Sequence, residues 1–431
     1  MPSRYDAAYL AVAAVAGPVV AVLPKLRRKV GQALKQRDGR TTARPDPSRP
    51  CVLIHGVSVG EVNAARSLVD ALRNRDPGLQ VAVASTTETG FARATQLYGV
   101  DASADVFAVR WPVDFSKPIR RLLDAVRPTL AVMMELEVWP NFVLHCRRRG
   151  IPCAVANGRI TDHSFRGYRK VGGLLRPTFS SLSLVLAQEQ TYADRFAALG
   201  VPLDRVRVVP SLKFDSADIS DRVDGDAQLA EALGLNPRAF GGNDVVLVAG
   251  STGPGEEAIL LRVYESLRRT HPQLRMVVVP RKPDRFEEVA GLLKTVGPIA
   301  RRSTGERGGD LALIDTLGEL RAAYAMADAV FVGRTLVDLG EKQHGSDMIE
   351  PAALAKPVVV GPFWGNFAEP MRVLKTGNGV VEVADESSLL AQLEEWLTDQ
   401  SEAAALGRRG QAVVAANRGA AARTAADLLA L

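Results

Sequence analysis

The residues of this sequence that best suit chemistry are polar side chains placed directly after short apolar runs. Residues 51–54 form one such run, and the glycine-containing turn that follows leads to Glu61 at the start of a helical pattern. A buried strand, a turn and a helix in this order place a side chain at the ligand-binding edge of a parallel sheet. Glu61 therefore suits a general base, and it equally suits a first-turn acid that interacts with the helix dipole.

Two further carboxylates, Glu135 and Glu137, follow the apolar run at 129–134 and precede Pro140. Acids at positions i and i+2 after a buried strand must leave the core as the chain does. Pro140 suits the first turn of a helix, so these acids also fit ordinary capping of a helix at 139–149. Both interpretations stay open from the residues alone.

Cations follow other predicted strands. Arg159 and Arg166 come after one strand, and Lys213 stands where the first half of the chain ends. Arg281 and Lys282 are adjacent, directly after an apolar run and before a helical pattern. Paired cations near a helix N-terminus suit a phosphate group, because both contribute positive potential.

The second half also contains a glycine-rich turn, residues 250–255, between an apolar run and a helical pattern. Its backbone N–H groups favour an anion, although such a turn is weak evidence alone. Glu319 and Glu350 each stand at the start of a further helical pattern. We expect Glu350 to accept hydrogen bonds from ribose hydroxyls.

The elements that must position these residues alternate between strand and helix. In the first half the predicted strands are 51–55, 80–85, 129–134, 152–156, 184–187 and 206–209. In the second half they are 245–250, 274–279, 311–314, 329–332, 357–360 and 379–383. Intervening stretches have helical periodicity, so the pattern predicts parallel sheets covered by helices on both faces. The fold class is α/β, with two doubly wound, Rossmann-like domains and ligands in a cleft at the strand ends.

The domain organisation follows from this series and from the length of 431 residues, which exceeds one ordinary core. We predict an N-terminal anchor and basic lead at 1–44 and a first Rossmann-like domain at 45–215. A linker at 216–241 and a second Rossmann-like domain at 242–431 complete the prediction.

Composition excludes several classes of function. The net charge of +6 suits an anionic substrate or membrane surface, but no nucleic-acid-binding pattern accompanies it. The three cysteines and five histidines show no metal-ligand spacing, so neither a metal site nor a disulfide framework is expected.

The N-terminus contains an uncharged, alanine-rich stretch, residues 7–24, followed by Lys25, Arg27, Arg28 and Lys29. The stretch is marginal as a full membrane span, and it suits an anchor in one leaflet with the cations on the cytoplasmic face. A cleaved signal peptide is the alternative that we consider weaker, because Arg4 is the one cation ahead of the stretch.

Taken together, these segments resemble the Kdo transferase family, membrane-associated glycosyltransferases that move 3-deoxy-D-manno-octulosonic acid (Kdo) onto the lipid A precursor. The resemblance runs in order across roughly residues 50–400. The segments that carry it are 58–61, 135–141, 157–159, 212–215, 280–281, 318–320, 350–352, 361–362 and 366–367.

The resemblance implies a glycosyltransferase-B fold, a CMP-Kdo donor, lipid IVA as acceptor and inversion without a catalytic metal or cofactor. It implies Glu61 as the general base, with Glu137 and Lys213 stabilising the transition state. The nucleotide-binding positions are then Pro280, Arg281, Leu317, Gly318, Glu319, Asp347, Met348, Ile349 and Glu350, with Lys282 beside them. The implied place of work is the cytoplasmic face of the bacterial inner membrane, in lipopolysaccharide biosynthesis.

The sequence departs from the family pattern at four places, one of which is 209–211, where Val-Pro-Ser replaces Thr-Gly-Asn. Lys282 stands where the family usually has histidine, and 338–343 resembles a small insertion. Asp347 replaces an asparagine, which adds negative charge near a nucleotide phosphate. Two alternatives therefore stay open: another glycosyltransferase or epimerase that uses a UDP-sugar, and a non-catalytic glycolipid-binding protein.

Overall fold

The computed structural model describes residues 3–22, 31, 36–41, 43–100, 104–136, 138–340 and 343–431, apart from the side chains of residues 12, 15–22 and 366. The chain forms two compact units. The first comprises Met1–Ser216 and Gly419–Leu431, and the second comprises Ala217–Arg418.

The first unit is built on a seven-stranded sheet of order β3-β2-β1-β4-β5-β6-β7, in which every described pairing is parallel. Its strands are β1 Cys51–Gly56, β2 Gln80–Ser85, β3 Val106–Arg110, β4 Leu130–Met134, β5 Cys153–Gly158, β6 Leu184–Ala187 and β7 Val206–Val208. Its helices are α1 Arg4–Val22, α2 Val59–Arg75, α3 Glu88–Tyr98, α4 Ser116–Val126, α5 Pro140–Arg148, α6 Asp162–Lys170, α7 Gly172–Phe179 and α8 Gln190–Ala198. The order reverses between β1 and β4, which is where open parallel sheets bind ligands.

The second unit repeats this plan with a parallel seven-stranded sheet of order β10-β11-β9-β8-β12-β13-β14. Its strands are β8 Val245–Thr252, β9 Leu274–Pro280, β10 Ile299–Arg301, β11 Leu311–Leu313, β12 Ala329–Val332, β13 Val358–Val360 and β14 Val381–Glu382. Its helices are α9 Asp226–Leu233, α10 Glu256–Arg268, α11 Phe286–Leu293, α12 Leu320–Ala325, α13 Ile349–Ala353, α14 Ala368–Thr376, α15 Glu386–Thr398 and α16 Gln400–Ala416. Here the order reverses between β8 and β12.

The predicted α/β class with parallel sheets is confirmed, because the central strands are apolar and buried on both faces. Every residue of β1, β2, β4 and β8 is buried. The prediction missed β3 and β10, which are edge strands with one neighbour each. An edge strand needs less continuous hydrophobicity, and β10 is three residues long.

The C-terminus differs from the predicted second domain at 242–431. Helix α17 (Ala420–Leu429) belongs to the first unit, where it packs on α2 through small buried side chains such as Ala421 and Ala425. The Asp215 carboxylate accepts hydrogen bonds from the Gly419 N–H at 2.6 Å and the Ala421 N–H at 2.9 Å. Asp215 thus caps α17 from a distant segment of the chain.

The segment 216–241, predicted as a linker, differs in a similar way. It contains α9, whose Leu229 and Leu233 are buried, and nearly all of it lies in the second unit.

Helix α1 covers most of the predicted anchor, and its first turns are held by polar contacts to the first unit. The Tyr9 hydroxyl donates to Asp114 at 2.8 Å, and the Ser116 N–H donates to Asp6 at 2.9 Å. No described helix has the length and hydropathy needed to cross a bilayer. Residues 23–30, with the basic cluster, lie outside the described residues.

Candidate active site

Glu61 lies in the first turn of α2 and caps that helix. Its carboxylate accepts hydrogen bonds from the Val57 N–H at 2.9 Å, the Ser58 N–H at 3.3 Å and the Ser58 hydroxyl at 2.9 Å. The Ser58 hydroxyl in turn accepts from the Glu61 N–H at 3.4 Å, which completes a capping box. The capping interpretation of Glu61 is therefore correct. Glu61 can also act as a base only if its carboxylate has an acceptor position that the cap does not use.

The loop that carries Glu61 is fixed from two sides. A Cβ at Gly56 would lie 3.0 Å from the Glu61 Cβ, so glycine permits the close approach. The Val57 carbonyl accepts hydrogen bonds from the Ser85 hydroxyl at 3.0 Å and the Thr87 hydroxyl at 2.7 Å. The ends of β1 and β2 thereby hold the carboxylate in one place.

The electrostatics of Glu61 favour proton transfer. Burial, and next the negative charge of Glu135, raise the pKa of Glu61 above its ordinary value, although the Val57 and Ser58 hydrogen bonds oppose this. A carboxylate has about four acceptor positions. Two on Oε1 and one on Oε2 are filled by described groups, so one position on Oε2 can accept a substrate hydroxyl.

Glu135 follows β4, the neighbour of β1, so the structure brings the two acids to one sheet edge. Glu135 has a φ of +54°, and its N–H donates to the Ala156 carbonyl at 2.9 Å. Such a conformation is uncommon for a residue with a Cβ and often marks a functional turn. Glu137 lies outside the described residues.

Lys213 is positioned through Asn157 at the end of β5. The Leu212 N–H donates to the Asn157 side-chain carbonyl at 3.1 Å, which ties the Lys213 segment to the sheet edge. Asn157 has a φ of +55°, and its Nδ2 is buried without a hydrogen-bond partner among the described residues.

His55 is a less suitable base. It is stacked on Trp111 with ring centroids 3.7 Å apart, and its Nε2 lies 2.9 Å from the Thr86 hydroxyl. Burial, and next the charge of Arg37, lower the pKa of His55 well below its ordinary value. Sequence reasoning missed Trp111, because it follows the edge strand β3 that the pattern did not reveal.

Asn141, part of the segment that carries the family resemblance, has a structural function. Its N–H donates to Asp114 at 3.0 Å and its Nδ2 donates to Asp6 at 3.1 Å. Asn141 therefore links α5 to the first turn of α1.

In the second unit, the predicted phosphate-binding residues follow β8 and β9. Pro280 ends β9, and the Arg281 N–H donates to the Thr252 carbonyl at 3.1 Å. The side chains of Arg281 and Lys282 are exposed. The Thr252 hydroxyl at this edge is buried without a hydrogen-bond partner among the described residues.

Residues 317–319 form the turn before α12. Leu317 is 79% exposed and Gly318 has a φ of +91°, which favours glycine. Glu319 accepts a hydrogen bond from the Arg302 Nε at 3.0 Å and contacts the Thr316 hydroxyl. A ligand would therefore meet Glu319 as part of an ion pair.

Residues 347–350 begin α13. The side chains of Met348 and Ile349 are fully buried, so only their backbone can reach a ligand. Burial, and next the charge of Asp347, raise the pKa of Glu350 to about 7. Glu350 and Asp347 also contribute to raising the pKa of the Tyr324 hydroxyl, for which burial is the largest cause.

Among the described residues, no group of three or more His, Cys, Asp and Glu side chains is arranged to hold a metal ion. The expected metal-independent chemistry stays a prediction.

The fold defines the class of protein. HepE from Anabaena in complex with UDP and glucose matches 88% of this chain and 99% of its own, at 16% identity and a TM-score of 0.55. UDP-GlcNAc 2-epimerase from Neisseria meningitidis bound to UDP-GlcNAc matches the same shares, at 14% identity and a TM-score of 0.58. The fold is that of GT-B glycosyltransferases and epimerases.

Sequence comparison defines the family. A family model described as 3-deoxy-D-manno-octulosonic-acid transferase (Kdo transferase) matches residues 32–216. The Haemophilus influenzae 3-deoxy-D-manno-octulosonic acid transferase is 33% identical, across 90% of this chain and 89% of its own length. The Bordetella pertussis enzyme of that name is 35% identical across the same shares. The chain belongs to the Kdo transferase family of glycosyltransferases, which confirms the resemblance found in the sequence.

Proposed function

We propose that this chain transfers Kdo from CMP-Kdo to a hydroxyl of the lipid A precursor lipid IVA, with inversion and without a catalytic metal. Family membership supports Kdo transfer in lipopolysaccharide synthesis. The observation that carries the mechanism is the Glu61 carboxylate, which has a raised pKa, a fixed position and one acceptor position that no described group fills.

In the proposed step, the acceptor hydroxyl gives its proton to Glu61 as its oxygen bonds to the anomeric carbon of Kdo. The bond from that carbon to the phosphate oxygen breaks, and CMP leaves with the electron pair. A positioned base of this kind contributes about 10² to 10⁴-fold to the rate. The developing phosphate charge requires cations, and we assign Arg281 and Lys282 to it.

The remaining assignments are parts of the same proposal. Lys213 and Glu137 stabilise the transition state, and Asn157 positions the Lys213 segment through its bond to Leu212. The nucleotide-binding set is Pro280, Arg281, Lys282, Leu317, Gly318, Glu319, Asp347, Met348, Ile349 and Glu350. Met348 and Ile349 act through their backbone, because their side chains are buried.

Glu61→Gln tests the base, since the glutamine carbonyl can still accept the Ser58 hydrogen bonds of the capping box. The amide NH2 replaces Oε2, which removes both the proton acceptor and the hydrogen bond from the Val57 N–H, so the Tm of the variant is measured beside kcat. The assay is transfer from CMP-Kdo, generated in situ, to lipid IVA in detergent. Glu88→Gln is the matched control, because Glu88 is the first-turn acid of α3 and forms an exposed ion pair with Arg110. We expect Glu61→Gln to lower kcat about 10² to 10⁴-fold, with CMP affinity unchanged and Glu88→Gln near wild type.

Retention of kcat by Glu61→Gln would contradict the assignment. If Glu61→Gln and Glu88→Gln instead lost the same amount of kcat and the same amount of folding stability, Glu61 would serve only to cap α2. Protection against heat by UDP but not by CMP would favour a UDP-sugar enzyme, because a ligand of the native state raises the apparent stability.

We also propose that the N-terminal segment attaches the protein to the cytoplasmic face of the inner membrane. Leu10 on α1 is 61% exposed, whereas Tyr5 is buried against the first unit. Leu10→Glu should reduce sedimentation with anionic vesicles while the contacts of Tyr5 and Tyr9 persist. Leu203→Glu is the control, because Leu203 is 79% exposed outside α1. Equal sedimentation of both variants would argue against attachment through α1.

A further inference from the structure

Arg334, which follows β12, has an unusual backbone conformation. Its φ is +62°, in the left-handed region that residues with a Cβ adopt at a cost of about 1–2 kcal/mol. Backbone outliers of this kind persist only where the surrounding structure enforces them. No residue assigned so far explains why an arginine, rather than glycine, stands at this position.

The surrounding structure does enforce this turn. The fully buried carboxylate of Glu256 accepts hydrogen bonds from the Arg334 N–H at 2.6 Å and the Thr335 N–H at 2.8 Å. It also accepts from the Leu336 N–H at 2.9 Å and the Gly253 N–H at 2.8 Å. Glu256 therefore joins the loop after β8 to the loop after β12, at the point where the strand order reverses.

This conformation directs the Arg334 side chain across the glycine-rich turn. A Cβ at Gly253 would lie 3.0 Å from the Arg334 Cγ, so the absence of a side chain at Gly253 makes room for the arginine stem. The Arg281 N–H donates to the Thr252 carbonyl at 3.1 Å, so the two arginines stand on either side of the same turn. Burial, and next the charge of Arg281, lower the pKa of Arg334, whereas the charge of Glu256 opposes this shift.

Neither guanidinium group has a hydrogen bond or an ion pair within the described part of the chain. Glu256 cannot serve as an acceptor for Arg334, because its four acceptor positions are filled by backbone N–H groups. Two adjacent cations repel each other unless an anion lies between them.

We propose that Arg334 and Arg281 together bind one phosphate group, that of the donor nucleotide, over the turn at 252–255. This inference rests on the proposed CMP-Kdo donor for the identity of the nucleotide, but not for the anion site itself. Arginine suits the task because its planar fork binds phosphate oxygens through two parallel hydrogen bonds. Arg334 would then contribute donor affinity that Arg281 alone does not supply.

The test compares Arg334→Gln and Arg334→Gly with the wild type. Glycine adopts a positive φ without strain, so Arg334→Gly should fold with an equal or higher Tm. Arg269→Gln is the control for net charge, because Arg269 is exposed at the far end of α10. The probes are CMP, cytidine and inorganic phosphate, with affinities from calorimetry or from ³¹P NMR titration.

We expect both Arg334 variants to bind CMP about 10 to 100-fold more weakly, the usual effect of losing a charge-assisted hydrogen bond. The affinity for inorganic phosphate should fall in parallel, whereas the affinity for cytidine should not change. The Arg269→Gln variant should bind all three probes as the wild type does. Unchanged CMP and phosphate affinities in both variants would overturn the proposal, as would absence of phosphate binding by the wild type.

The outcomes separate this inference from the proposed function. Phosphate binding that depends on Arg334, without Kdo transfer by the wild type, would support the anion site and refute the function. Kdo transfer by the wild type, with unchanged CMP affinity in the Arg334 variants, would support the function and refute the anion site.

Discussion

The substitution Asp347→Asn tests how the second unit controls the charge of Glu350. Burial, and next the Asp347 charge, raise the pKa of Glu350 from 4.5 to about 7, whereas Arg321 opposes the shift. Each pKa unit corresponds to ~1.4 kcal/mol, so the difference corresponds to about 3 kcal/mol of unfolding free energy. Asp347 is exposed, so its share is about 1 kcal/mol, the energy of a water-screened charge pair.

The sign follows from proton binding. Glu350 ionises near 4.5 in the unfolded chain and near 7 in the folded one. Between these values the folded state keeps a proton that the unfolded state has released, so the unfolding free energy falls as the pH rises. The stabilisation is present below pH 4.5 and is lost by about pH 7. Asp347→Asn lowers the folded pKa, and therefore reduces this loss.

Urea unfolding of the wild type and of Asp347→Asn, at about pH 5 and pH 8, measures the effect. We expect the variant to be more stable by about 1 kcal/mol at the higher pH and by less at the lower pH. Glu265→Gln on α10 is the control, because Glu265 is an exposed acid of the same unit. Burial also raises the pKa of Asp114 to about 7, but Asp114 is present in both proteins and cancels in the difference. A gain that is equal at both pH values would refute the reasoning.

Three further predictions concern fixed polar contacts. Glu256→Gln turns an amide toward backbone N–H donors and should cost about 2–5 kcal/mol in urea unfolding; a loss below ~0.5 kcal/mol would contradict the clamp. A Cβ in Gly90→Ala would overlap the Ser85 hydroxyl, which holds the Val57 carbonyl, and would lie 2.9 Å from that carbonyl itself. We therefore expect kcat to fall as the Glu61 loop shifts, and normal kcat would refute this coupling. Tyr9→Phe removes a donor to Asp114 and should cost about 1–2 kcal/mol while protease cleavage within α1 increases; unchanged cleavage would show that this bond does not hold α1.

Much of the fold was predictable because buried parallel strands are continuous apolar runs. The predicted strand 184–187 matches β6, and 129–134 differs from β4 by one residue. The return of α17 to the first unit was not predictable, since its alanine-rich face fits any shallow surface. The decisive interaction is the Asp215 cap, which joins residues 204 and 206 positions apart.

The candidate site was predictable in location but not in the function of each residue. Strand ends indicated the segments that contain Glu61 and Arg281, and the start of a helical pattern indicated the segment that contains Glu350. The pattern could not show that Asn141 holds α1, because this depends on Asp6, 135 positions away. Arg334 gave no sequence signal either, since its importance comes from a positive φ and from the nearby charge of Arg281.

Counting filled acceptor positions distinguishes a base from a structural acid. Glu61 and Glu256 each stand in the first turn of the helix after a switch-point strand, and burial raises the pKa of both. Backbone N–H groups fill all four acceptor positions of Glu256, so a proton there would break the clamp between its two loops. Glu61 keeps one position on Oε2 unfilled by described groups, so it can accept a proton while its cap persists. Position after a strand is therefore insufficient to identify a base, and we propose that the unfilled acceptor position is what separates Glu61 from Glu256.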